Sequence, residues 1–239
     1  MSQNLIVQEL AIIIAAKNHK PTILNPDFLF CTGIVPSDWQ LARQPIYTNS
    51  VAQVTFTNGI TIIAEPNRVI FVEPIAELAT ESLQIPAMSR KYMQTLPNIE
   101  FEAVGINPRG YVPFAGSGDA ARQYMTKTLL SPGAWLEVGE EPMRASLNLF
   151  YRFKRAPFYL NVNEAVLRSP DETTTPIVMF NGSFTYEVNG ESETEKLTTL
   201  YQGIENWQVD LETFQEIVNT KFLAEQAMYS STVPDVISM

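Results

Sequence analysis

Few residues in this chain could carry reaction chemistry. His19 is the only histidine and Cys31 the only cysteine. A Ser-His-Asp or Cys-His device would have to be built on that one histidine. His19 stands between Asn18 and Lys20 in a polar stretch and reads as a surface residue. Cys31, between Phe30 and Thr32, reads as a small buried hydrophobe. A zinc site needs several such ligands. Carboxylates cluster at Glu140-Glu141 and at Glu191, Glu193 and Glu195, and a hard cation would take such oxygens. The first pair, however, reads as a turn beside Gly139. The second group reads as the first turn of a helix, where acids favour the macrodipole. Glycoside hydrolysis needs two opposed carboxylates, and no pair can be singled out. The sequence therefore assigns no catalytic residue, no metal and no cofactor.

Two segments are candidates for binding. Residues 105–119 read GINPRGYVPFAGSGD and lead from a strand into a helix. Backbone amides around Ser117 and Gly118 would suit an anion, with Arg109 and Tyr111 beside them. The segment lacks the lysine and hydroxyl of a Walker loop, and Asp119 would repel a phosphate. The plainer reading is a helix cap formed by Ser117 or Asp119. The second segment is a basic strip over 144–168, with Arg144, Arg152, Lys154, Arg155 and Arg168. Arg152 and Lys154 share one strand face, and Tyr151 and Phe153 the other. Cations interleaved with aromatics can hold single-stranded nucleic acid. The same alternation is what a half-buried strand requires.

Charge distribution weighs between these readings. The net charge is −10, and residues 169–239 carry all of it, with two basic residues against twelve acidic ones. Residues 1–168 are neutral, with fourteen of each sign. So acidic a chain argues against general binding to nucleic acid or to anionic membranes. It leaves an acidic C-terminal helix as a counterpart for the basic strip, within the chain or across a homodimer. No apolar run approaches the ~18 residues of a spanning helix. The start lacks the basic-then-apolar order of a signal peptide. A cytoplasmic protein is expected.

The elements that must position these residues are legible in outline. Residues 5–16 form an apolar strand. Residues 17–50, rich in proline, should contain short helical turns, with starts at Asn25-Pro26-Asp27 and Pro36-Ser37-Asp38. Residues 51–57 and 60–65 flank Asn58-Gly59, a type I′ hairpin signal. A third strand follows over 69–73. A helix over 75–96 should break or kink at Pro86, and residues 99–106 should form a strand. A helix runs from 119 to about 130. Strands are expected over 144–154 and 158–167, and a second Asn-Gly hairpin at Asn181-Gly182. Ser192 and Glu195 form a capping box, opening an apolar stripe from Leu197 to Phe222 whose side chains belong to the core. The three tryptophans also read as core.

The fold class is thus α+β: a mainly antiparallel sheet of eight to ten strands in meander hairpins, covered by three or four helices. Two hairpins each followed by a helix suggest pseudo-repeated halves, residues 1–115 and 116–223, with 224–239 a flexible tail. One continuous sheet is the alternative. The function read from these features is a non-enzymatic protein-interaction or assembly module, binding another protein or itself. A small-ligand or anion site at 105–119, enzymatic or not, is one alternative. Nucleic-acid binding through 144–168 is a second.

Overall fold

Alternating apolar residues over long stretches, with turn residues between them, drive the chain into one antiparallel sheet. The computed structural model describes residues 4–75, 83–114, 118–169, 172–188, 190 and 192–224. Nine strands are described: β1 (Ile6–Ala16), β2 (Ile46–Tyr47), β3 (Ala52–Thr55), β4 (Thr61–Glu65), β5 (Arg68–Pro74), β6 (Phe101–Pro113), β7 (Ser146–Arg152), β8 (Pro157–Arg168) and β9 (Thr174–Glu187). They lie in the order β2-β3-β4-β5-β1-β6-β9-β8-β7, each pair antiparallel. Strands from both expected halves share this one sheet, because β6 pairs with β9. The α+β architecture is as the sequence led one to expect.

Among the described residues five α-helices cover one face. They are α1 (Pro26–Cys31), α2 (Ile85–Thr95), α3 (Ala120–Gln123), α4 (Glu193–Glu205) and α5 (Trp207–Ile217). Leu10, Ile12 and Ile14 of β1, Phe71 of β5, Ile106 of β6, and Phe180 and Phe184 of β9 are buried beneath them. Phe28 of α1 and Tyr92 of α2 meet edge to face, and Tyr92 also packs on Phe71. Asn25 caps α1, accepting from the Phe28 amide at 2.8 Å. Ser192 and Glu195 form the expected capping box of α4. Among the described residues no helix is long and apolar enough to cross a membrane.

Several local expectations are corrected. His19 is buried, not at the surface. Its Nδ1 lies 2.9 Å from the Glu65 carbonyl. A carbonyl only accepts, so Nδ1 carries the proton and Nε2 accepts from the Tyr92 hydroxyl. Cys31 is exposed, at the last position of α1. Pro86 starts α2 rather than breaking it, since its missing amide costs nothing in the first turn. No helix begins at Pro36, where the chain only turns. Trp135 is 47% exposed, while Trp39 packs on Phe56.

The two Asn-Gly pairs behave differently. Asn58-Gly59 closes the β3–β4 hairpin, but only Gly59 has a positive φ, of 89°. The Gly59 amide donates to the Phe56 carbonyl, and Asn58 Oδ1 accepts from Ile60. The connection is a three-residue loop ending in a left-handed glycine, not a type I′ turn. Asn181-Gly182 is no turn at all and lies inside β9. A Cβ on Gly182 would stand 3.0 Å from Phe158, 3.0 Å from Phe214 and 3.1 Å from Pro108. Glycine here serves close packing. The second hairpin of the pseudo-repeat is therefore absent. Of the expected tail, 224–239, all but Ala224 lies outside the described residues.

Candidate functional site: the bare face of the sheet

The side chains that alternate with the core residues form the other face, on which no described helix packs. Its middle is apolar: Ala11 and Ile13 of β1, Ile63 of β4, and Ile70 and Val72 of β5. Register aligns them, with Ile63 opposite Ile70 and Ile70 opposite Ile13. At one side Phe150 of β7 and Tyr159 of β8 stand opposite each other with ring centroids 4.9 Å apart. They are 51% and 52% exposed, whereas Phe71, Phe158, Phe180 and Phe184 on the covered face are fully buried. One trough of about 890 Å³ is lined by residues from β4 through β7. Those seven strands are neighbours in the sheet, so the sheet bends toward this side.

A polar row crosses the trough. Glu9, Arg109, Asn181, Asn161 and Asn148 are successive register partners on β1, β6, β9, β8 and β7. Arg109 Nη1 lies 3.0 Å from Glu9 Oε1, and its Nε donates to Asn181 Oδ1 at 2.9 Å. Asn181 Nδ2 donates to Asn161 Oδ1 at 3.3 Å. Asn161 Nδ2 donates to Asn148 Oδ1 at 2.9 Å. The row spends its donors and acceptors sideways, and its one ion pair is internally neutral. Beside it, Asn107 is different: its Nδ2 is buried and has no hydrogen-bond partner. A Cβ on Gly105 would fall 2.9 Å from that atom, so the glycine makes room for the amide on the trough floor. An unpaired buried donor costs about 1–3 kcal/mol.

The candidate residues of 105–119 separate. Arg109 and Tyr111 belong to β6, not to a loop, and Arg109 lines the trough. Gly118 is exposed just before α3, which packs against β8 and β9 on the covered side. Ser117 lies outside the described residues. Asp119 makes no side-chain cap; it pairs with Arg122 at 3.0 Å.

The basic strip also divides. Arg155 turns inward, its Nε 2.6 Å from Asp210 Oδ1 and its Nη2 donating to Thr213 at 2.9 Å. Asp210 is fully buried and also accepts from the Tyr186 hydroxyl at 2.8 Å. Burial pushes the Asp210 carboxyl upward, opposed by its bonds to Arg155 and Tyr186. The acidic helix thus does meet the strip, through one buried pair. Arg144 Nε lies 3.2 Å from Glu164 Oε1. Arg152 and Lys154 stay exposed, with no ion pair to a described residue. Among the described residues no group of three or more His, Cys, Asp or Glu gathers as a metal site would need.

The trough was not read from the sequence. A signal was present: Asn148, Asn161 and Asn181 each interrupt a strand pattern, and asparagine is disfavoured in strands. Three such interruptions in three neighbouring strands mark a shared row. Compared with known proteins, the chain matches no family model and no curated protein.

Proposed function

We propose that the protein is a non-enzymatic binding module, acting in the cytoplasm, which holds an extended apolar segment of a partner protein in the trough. The observation that supports this reading is the uncovered floor of Ile13, Ile63, Ile70 and Val72, continuous with the exposed Phe150–Tyr159 pair. Monomers seldom leave so contiguous an apolar surface unused. The internally neutral Glu9–Arg109 pair makes the trough suited to apolar rather than ionic recognition, so binding there should change little with salt.

A photo-crosslinking residue at Val72 or Phe150 should capture one and the same protein in cells. That protein, purified, should bind the wild type and lose at least about 30-fold in affinity to Val72→Lys, roughly 2 kcal/mol. Equal affinity for both would end the reading. An adduct between two copies would replace the partner with a homodimer. A small apolar ligand is the second reading, because the trough volume falls within the ~300–1,000 Å³ of small-molecule pockets. Thermal stabilisation by apolar carbonyl compounds, lost in Val72→Lys and with no protein adduct, would favour it.

A further inference from the structure

Strand β7 closes one side of the sheet. Its seven residues pair with β8 alone, and no backbone hydrogen bond from another described segment reaches Ser146–Arg152. Alternate amides and carbonyls along its outer side are therefore open to a further strand. The strand is apolar enough to be worth extending. Leu147, Leu149 and Tyr151 face the covered side and pack against the core, and Phe150 faces the bare side. Cations flank it: Arg144 before it, 76% exposed at its side chain, and Arg152 and Lys154 at its end.

Two occupants compete for such an edge. A second copy pairing antiparallel about Leu149 would bring the Lys154 end of one strand beside the Arg144 end of the other, twice over. Like charges gathered at both ends oppose that pairing. The same cations would attract a strand carrying acids at its ends. We infer that the β7 edge accepts an extended peptide of a partner protein as a tenth strand, and that acidic residues flanking this peptide are held by Arg144, Arg152 and Lys154. Main-chain bonds would supply the pairing and the flanking charges the selectivity. This inference is independent of what fills the trough.

The test uses the full chain and a random decapeptide library on beads. Enriched peptides should alternate apolar residues and carry Asp or Glu at the ends. For the best binder, N-methylation of one alternating set of amides should abolish binding and of the other set should not, because only one set faces β7. Double reversal, Arg152→Glu with Lys154→Glu, should weaken the acid-ended peptide at least tenfold and favour a Lys-ended one. Val72→Lys should leave this binding unchanged, which separates it from the trough. The inference is overturned if no peptide is enriched, if both methylated sets bind alike, or if enrichment ignores charge. A dimer through β7 in solution, or an oligothymidylate displacing the peptide at physiological salt, would overturn it too.

Discussion

Arg155 and Asp210 are the residues on which the covered side is pinned. Asp210 is buried in the first turn of α5 and the guanidinium reaches it from the turn between β7 and β8. That same guanidinium lies 5.1 Å from the centre of the Phe184 ring. Removing one member of a buried pair strands the other charge, which costs about 3–5 kcal/mol. Arg155→Ala should lose that much in urea unfolding, and Tyr186→Phe a smaller amount, about 1.5–3 kcal/mol for a hydrogen bond to a charged group. A loss below about 1 kcal/mol in Arg155→Ala would show that the pair contributes little. His19 gives a second test at this scale. Burial holds its ring below the ordinary value of 6.5, opposed by the bond to the Glu65 carbonyl. The folded ring refuses a proton that the unfolded chain accepts. Stability from this residue is therefore full above pH 6.5 and declines as the pH falls through the folded value. Because His19 is the only histidine, its ring resonances report that value directly by NMR. His19→Gln should flatten this part of the stability profile relative to the wild type.

At the scale of elements, the buried Glu73 shows how the sheet fixes its helices. Its Oε2 accepts from the amides of Gln84 and Ile85 at 2.8 and 3.0 Å, so a strand side chain caps α2. Glu73→Ala should cost about 1–2 kcal/mol, the range of a lost cap. Gly182→Ala should cost about 1–3 kcal/mol, because Phe158, Phe214 and Pro108 leave no room for a methyl group. A neutral result in thermal melts would mean those rings move aside easily. These elements also show what the sequence could and could not convey. Strand β1, the first hairpin, the Asn25 cap and the Ser192 capping box follow from local rules that the fold respects. Asn181-Gly182 misled because the same dipeptide can serve a turn or a tight packing contact, and only the strand neighbours decide. His19 misled because its polar sequence neighbours say nothing of Tyr92, its hydrogen-bond partner from α2. The trough stayed hidden because β1 is apolar on both faces, so no alternation marks which one the helices leave bare.

Across the whole molecule, the acidic net charge and the binding surfaces are arranged separately. Glu193, Glu195, Glu205, Asp210, Glu212 and Glu216 lie on helices of the covered side, and the bare face carries a neutral row and an apolar floor. The charge of these helices thus leaves one apolar surface free of it. Val72→Lys, on the bare face, should leave the melting temperature within a few degrees of wild type. The most direct test compares crosslinker at Phe150, on the trough, with crosslinker at Glu212, exposed on α5 of the covered side. The account predicts a single defined protein adduct from Phe150, absent from Glu212 and abolished when Val72→Lys is added. Equal adducts from both positions, or none from Phe150, would contradict it.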